Sequence, residues 1–496
     1  MKRLFLISII LLTAIWLSAQ VQNPGTDAIF RPSELAIIRL TLTPQDKALL
    51  LDPANVNSEK YLPAIFQMTN SQLDTILEKK VGIRLRGNSS RLHEKKPFKI
   101  DFREFGGKKF YNHKKFNLKP NVNDPTQVRE PLSLLYFREM NVPAARTFPL
   151  RLYINDEYMG VYINVEQLDD EFLKLRYGND KGFLYKCSFG ANLLDDGQIQ
   201  NAELYESEIN KSKDTRAELE HFVNVLNNTP ARSFVTEIEK VFNVDLYLRQ
   251  LAVEAMLGHW DGYSYNMNNY YLFYNGNSGL FEYFPYDADN TWGIDWLGRD
   301  WAKRDLTKWP REQIPLPLTK RLLNIPDFKR QYEAYLKQLL DEYFNASFLV
   351  TLLNSYKSIL DQAVKEDTYF GKAFGFTHAD FLTSFETRLN NNHVRYGLKE
   401  FLEVRRRYAF QQVQALIPED NRVASLYPNP SNQPFVYYST SEIFTEPQVY
   451  NSTGIRMPVT VSTTDDQRIK ISLPDYAGAG LYYLMIDGKV LRWAYY

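Results

Sequence analysis

The residues whose spacing best suits chemistry stand at His259-Trp260-Asp261-Gly262-Tyr263-Ser264-Tyr265-Asn266. Asp261 can accept a hydroxyl proton, and Asn266 can reach a metal ion on phosphates, if a loop between rigid elements holds both. Downstream, Pro285-Tyr286-Asp287-Ala288-Asp289 sets two carboxylates about one residue. Such a pair suits a hard cation that takes oxygen ligands, Mg²⁺ above all. In an extended segment Asp287 and Asp289 point to opposite faces, so one of them binds metal directly unless the chain turns there. Taken alone, both acids read as turn caps before Trp292-Gly293. Their order behind Asp261 and Asn266 favours transfer of a phosphoryl group to a hydroxyl.

An anion cradle is expected earlier in the chain. Arg84-Leu85-Arg86-Gly87-Asn88-Ser89-Ser90 puts a glycine and two hydroxyls after a strand, and Lys95-Lys96-Pro97-Phe98-Lys99 opens the next one. Small residues let backbone N–H groups approach phosphate, and lysine supplies a point charge. The spacing is not that of a Walker loop. Glu166-Gln167 ends a strand where backbone groups can meet an adenine edge, and Lys186 is a further candidate phosphate contact. The candidate nucleotide contacts are therefore Arg86, Lys96, Lys99, Glu166 and Lys186. The plainer reading is a solvated basic turn and strand-end salt bridges.

These residues need elements to position them. Val81, Ile83 and Leu85 alternate with polar neighbours, as do Phe98, Ile100 and Phe102. Leu150, Leu152 and Ile154, then a turn at Asn155-Asp156-Glu157, then Val161, Ile163 and Val165 predict a hairpin. Helical spacing is expected over 126–140, 215–228 and 243–257, the last capped by Asn243. A second hairpin is expected over 269–286, turning at Gly276-Asn277-Ser278-Gly279, and nearly all of 316–416 reads as helix. The loop at 259–266 thus follows a helix, and a short hairpin separates it from the acidic pair. That is the order of catalytic loop and metal-binding Asp in protein kinases, whose loop spacing His-x-Asp-x-x-x-x-Asn is reproduced.

Composition sets the wider limits. The 496 residues are 44% hydrophobic and 14% aromatic, enough for a large core. Lys+Arg and Asp+Glu both number 59, which argues against a general nucleic-acid or membrane-surface binder. Cys187 is the one cysteine, so no intrachain disulfide forms, and the six histidines show no zinc-hydrolase array. Lys2 and Arg3, the apolar run Leu4 to Leu17 and the small residues to Ala19 read as a signal peptide over 1–19. The rival reading, a membrane anchor, is disfavoured by a run shorter than the roughly 20 residues a span needs. No later segment is apolar enough to span, so the mature chain is expected to have no membrane span.

The pattern resembles the spore coat protein H (CotH) kinase family. Arg86-Gly87-Asn88-Ser89-Ser90 with Lys95-Lys96-Pro97-Phe98-Lys99-Ile100 looks like its first signature. Tyr153-Ile154-Asn155-Asp156-Glu157-Tyr158-Met159-Gly160-Val161-Tyr162 with Glu166-Gln167 looks like the second. Asn268-Asn269-Tyr270-Tyr271-Leu272 with Pro285-Tyr286-Asp287-Ala288-Asp289 and Gly293 looks like the third. The resemblance implies an atypical two-lobed kinase using ATP with Mg²⁺ or Mn²⁺. It makes Asp261 the catalytic base, Asn266 and Asp287 metal ligands with Asp289 competing, and Lys96 or Lys99 a phosphate contact. Three departures from ordinary kinases are visible: Trp260 replaces the loop's Arg, Asp-Ala-Asp replaces Asp-Phe-Gly, and no regular Gly-rich loop is present.

From Leu426 the composition changes to short β runs. Leu426-Tyr427-Pro428-Asn429-Pro430-Ser431, Val449-Tyr450-Asn451-Ser452-Thr453-Gly454 and Ala479-Gly480-Leu481-Tyr482-Tyr483 resemble the C-terminal sorting domain of the type IX secretion system. The expected organisation is signal peptide 1–19, leader 20–35, kinase-like domain 36–416, linker 417–425 and β-sandwich 426–496. The fold class is α+β followed by a small all-β sandwich. The expected function is phosphorylation of Ser or Thr on an exported or surface protein, after passage through the periplasm by the type IX secretion machinery to the surface or medium. A binding scaffold without turnover and a metal-dependent phosphohydrolase are the alternatives.

Overall fold

The computed structural model describes residues 23–73, 79–390, 393–416, 425–427, 433–439, 446–451, 455–463, 469–486 and 489–495. The expected signal peptide and most of the expected linker lie outside the described residues. Strands β1 (Ala36–Thr41), β2 (Leu62–Thr69), β3 (Lys79–Leu85), β4 (Phe98–Asp101), β5 (Lys115–Lys119), β6 (Thr147–Ile154) and β7 (Glu157–Val165) close into a barrel. Its order is β1-β2-β3-β4-β5-β7-β6. The pairs are antiparallel except β6 with β1, a parallel pair that shuts the sheet and leaves no bare edge. The alternating residues Val81, Ile83, Leu85, Phe98 and Ile100 are buried, as a barrel interior requires. Phe66, Phe102 and Phe116 meet edge-to-face inside it.

Helix α1 (Pro44–Leu51) follows β1, α2 (Arg129–Glu139) follows β5 and α3 (Asp170–Tyr177) follows β7. A second sheet, ordered β11-β10-β8-β9, joins β8 (Gly182–Cys187) and β9 (Tyr205–Ser207) to the hairpin β10 (Tyr270–Asn275) and β11 (Leu280–Pro285). Helices α4 (Ala217–Asn228), α5 (Ala231–Ile238) and α6 (Val244–Leu257) precede that hairpin, with the one-turn α7 (Tyr263–Asn266) between. Beyond it come α8 (Pro317–Leu323), α9 (Pro326–Gln338), α10 (Ala346–Lys365), α11 (His378–Ser384) and α12 (Leu398–Leu416). Asn243 caps α6 as its sequence predicts, accepting from the Leu246 N–H. In the segment read as a leader, Ile29 and Phe30 are buried, and Phe30 packs edge-to-face on Phe148 of β6.

A buried ion pair is among the contacts that tie the barrel to α10 and the segment after it. Lys95 and Asp367 form an ion pair at 2.7 Å with side chains 1% and 0% exposed. Asp367 also accepts the Val161 N–H of β7 at 2.8 Å. Gly160 beside it has φ 106°, and a Cβ there would stand 2.3 Å from the carboxylate, so only glycine fits. The described strands between Ser425 and Tyr495 form two four-stranded sheets with one shared apolar cluster that includes Val436, Ile471, Leu484 and Trp493. No described helix is long and apolar enough to cross a membrane.

Candidate active site

Helix α6 ends at Gly258 in the left-handed conformation, and the loop that follows carries Asp261. Trp260, where kinases have Arg, is buried, stacks near Trp301 and donates its indole N–H to the Ile294 carbonyl at 2.9 Å. It anchors the loop that carries Asp261 in the core. His259 is buried too, and burial pushes its imidazole down to about 4, so it is neutral at pH 7.

Four asparagine amides surround Asp261. Asn266 and Asn268 donate to Oδ1 at 2.5 and 3.3 Å, and Asn269 and Asn290 donate to Oδ2 at 2.9 and 3.1 Å. A carboxylate has about four acceptor positions, so this ring matches its capacity. Burial still raises the carboxyl above its ordinary range, the amide donors oppose that, and the like charge of Asp287 adds to it. Asn290 is itself oriented by Trp296, whose indole N–H donates to its Oδ1 at 3.2 Å.

Strand β11 ends at Pro285, and Asp287 takes φ 52°, so the chain turns instead of staying extended. Both carboxylates therefore approach one cation. Lys119, at the end of β5, contacts Asp287 Oδ1, lies 2.6 Å from Glu130 Oε2 of α2, and lies 4.0 Å from Asp289 Oδ2. Burial pushes Asp287 up, but Lys119 and Arg86 outweigh it and hold the carboxyl low. Asp289 is pushed well up by burial and by the charge of Asp287 beside it. Glu130 is raised by burial against the pull of Lys119. Met267, Asn269, Asp287 and Trp292 all have φ between 51° and 53° around this site, a clustering of strained backbone typical of functional loops.

The cleft beside these groups measures about 480 Å³ and is lined by Arg86, Lys99, Lys115, Lys119, Lys186 and residues 165–168, with Glu206 and Glu208 among others. The Lys99 ammonium has no ion pair or hydrogen bond among the described residues. Burial, then the charges of Arg86, Lys115 and Arg84, pushes its ammonium down to about 7. A half-buried cation with more cations than carboxylates acting on it, Glu208 being the opposing charge, is a place for an anion. Arg86 lies at the cleft's inner end, where it donates to the Tyr286 hydroxyl at 3.0 Å.

Two expected contacts are placed differently. Lys96 donates to the Arg91 carbonyl at 2.7 Å and is not among the cleft-lining residues, because it closes the turn over 88–96. The Glu166 carboxylate is occupied by Arg146 and Arg176, each at 2.8 Å, which outweigh burial and hold it well below the usual range. Its side chain is the strand-end salt bridge of the plainer reading. Sequence reasoning missed Lys119 and Glu130. The two lie on consecutive elements, at the end of β5 and in the first turn of α2, and only the fold turns their side chains to one point.

The Asp287 and Asp289 carboxylates are of the kind Mg²⁺ or Mn²⁺ takes, and the Lys119 ammonium between them marks a place for positive charge, while the Asn266 amide N–H is given to Asp261. Among the described residues no three His, Cys, Asp or Glu side chains are grouped to hold an ion alone. Mg²⁺ is commonly held by one or two carboxylates together with substrate phosphates, so the set is adequate in kind. The cationic cleft fits a polyphosphate on the same chemistry.

Comparison with known proteins bears on this geometry. The family model described as "CotH kinase protein" matches residues 83–409. The chain is 27% identical over 322 residues to the inner spore coat protein H of Bacillus subtilis (strain 168), covering 64% of this chain and 84% of that one. It is 26% identical to spore coat protein homolog 1 of Rhizopus delemar, over 73% of this chain and 60% of that one. To the invasin CotH3 of the same organism it is 23% identical, over 81% of this chain and 73% of that one.

Proposed function

The chain belongs to the CotH kinase protein family, and from that premise we propose that it transfers the γ-phosphoryl group of ATP to a Ser or Thr hydroxyl of an exported or surface protein. The observation that carries this reading is Lys119 bracketed by Glu130, Asp287 and Asp289 at the end of a cation-lined cleft beside Asp261. In the reading, Arg86, Lys99, Lys119 and Lys186 take the phosphates, the backbone of 165–168 meets the base, and Asn266 with Asp287 and Asp289 holds Mg²⁺ or Mn²⁺. Bound there, nucleotide and cation supply the phosphoryl group and neutralise its charge. Asp261 Oδ accepts the acceptor's hydroxyl proton, and one of its four amides gives up its place for that hydroxyl. The relatives' names, spore coat protein and invasin, support action at a cell surface or coat. Residues 426–496 are read as the type IX sorting unit that brings the protein there, once the 1–19 signal peptide has directed it to the periplasm.

The test uses the full mature chain with γ-labelled ATP and Mg²⁺ or Mn²⁺. Transfer of label to the protein or an added acceptor, abolished by Asp261→Ala and by Asp287→Ala, is the expected result. Nucleotide binding without transfer to any acceptor, or release of phosphate to water unaffected by Asp261→Ala, would refute it.

A further inference from the structure

Beneath the Asp261 loop lies a carboxyl that the proposed transfer does not use. Glu254, near the end of α6, is wholly buried. Its Oε1 accepts the Trp309 indole N–H at 3.1 Å, and its Oε2 accepts the Gln250 amide at 3.0 Å. Ser264, on the same loop, lies near enough to favour its ionised form, while its hydroxyl pairs with Thr319 at 3.2 Å. Gly262, adjacent to Asp261, lies directly on this carboxyl: a Cβ there would stand 3.1 Å from both Glu254 Cδ and Oε2. The bonding partners are all uncharged. Burying an acid without a counter-ion is costly, and its donors must be well placed to offset the cost.

We propose that Glu254 is a positioning residue for Asp261: its carboxyl, held by Gln250 of α6 and by Trp309, is the surface on which Gly262 packs, and so fixes the turn that presents Asp261 to the acceptor. This rests on the phosphoryl-transfer reading. Ionised, the carboxylate accepts from all its donors at once. Protonated, it exchanges one acceptor position for an O–H, so a donor must let go. A place for that O–H exists, because Gln250 Oε1 is buried with no hydrogen-bond partner and can face the acid if the amide turns over.

Burial pushes Glu254 up to about 7, which brings the change into an accessible range. The groups packed around it do not titrate there. Tyr247 on α6, Tyr283 on β11 and Tyr332 on α9 are raised by burial, and His259 is depressed by it. Arg405 on α12 spends its donors on the carbonyls of Met256, Ala255 and Arg304. Lys99 titrates near neutrality but lines the nucleotide cleft, so its effect belongs to KM for ATP and that of Glu254 to kcat.

The experiment measures kcat and KM for Mg·ATP from pH 6 to 9 in the full chain and in Glu254→Gln. The expected result is a kcat limb near pH 7 that Glu254→Gln removes, with kcat at pH 8 lowered at least tenfold and KM within twofold. Glu254→Asp should restore a limb. A Glu254→Gln protein that keeps the limb, with kcat within twofold, overturns the proposal. If that variant does not fold, Trp309→Phe deletes one donor and should move the limb to higher pH; an unmoved limb overturns it equally. Emission of Trp309, identified by Trp309→Phe, should titrate with the same midpoint, and a flat response overturns the proposal without reference to activity. A chain whose Trp309 titrates but which moves no phosphate overturns the proposed function instead.

Discussion

Raising the pH above neutrality should weaken nucleotide binding, and Lys99 sets by how much. Its ammonium is down to about 7 because burial and the charges of Arg86, Lys115 and Arg84 oppose it. A polyphosphate reverses that field, so the bound protein should hold Lys99 charged. At pH 8 the free protein has Lys99 protonated in roughly a tenth of molecules, so binding should draw up about 0.9 proton. Affinity should then fall about tenfold per pH unit above 7, or about 1.4 kcal/mol per unit. The window from pH 7.5 to 9 is clean, because phosphate esters complete their ionisation near about pH 6. Titration calorimetry in buffers of differing ionisation enthalpy reads the proton count directly. Lys99→Met should abolish the uptake, flatten the pH dependence and weaken binding at pH 7 by about 1.5–3 kcal/mol, the range of a charge-assisted hydrogen bond. The sign for stability is the opposite one. A lysine depressed in the folded state holds no proton while the unfolded chain, at 10.5, still does, so the free protein should gain stability from about pH 7 upward. Zero proton uptake at pH 8 with affinity flat to pH 9 would remove Lys99 from the phosphate site.

Three further outcomes are expected. Asp261→Asn should lower the transfer rate by about 10²–10⁴-fold while leaving nucleotide binding intact, as read by label transfer alongside calorimetry. Lys95→Met should cost about 3–5 kcal/mol by stranding the Asp367 carboxylate in the core, and Lys95→Met with Asp367→Asn should recover much of it, since an amide oxygen still accepts Val161 N–H; denaturant unfolding of all three proteins decides this. Glu166 is held low by Arg176 and Arg146 against burial, so its stabilisation is present above the unfolded value of 4.5 and is lost as pH falls below it. Glu166→Gln should therefore be less stable than the parent at pH 7, and the difference should shrink in unfolding curves taken progressively below pH 4.5.

Local periodicity made much of the fold legible. The hairpins β6–β7 and β10–β11 and the helix α6 with its Asn243 cap follow from residues close in sequence, where alternation and capping act. Barrel closure was not legible, because the pairing of β1 with β6 is between strands far apart and leaves no local mark. The Asp261 loop and the Asp287–Asp289 pair were visible as types at spacing. Their relation to each other was not, since it depends on the positive φ at Asp287, which turns both acids to Lys119. The lysines show the limit most clearly. Lys95, Lys96 and Lys99 are alike as letters, yet one is a buried structural ion, one closes a turn and one faces the cleft.

The pairing of Lys95 with Asp367 also orders events in time. The two residues are 272 positions apart, so a chain made from its N-terminus exposes Lys95 long before its counter-charge exists. At roughly 5–20 residues per second the wait is on the order of 15–50 s. During that interval the barrel's wall lacks the acceptor for Val161 N–H as well as the charge for Lys95. Its strands can pair, but the barrel gains this buried ion pair and this acceptor only when the segment after α10 arrives, with synthesis about three-quarters done.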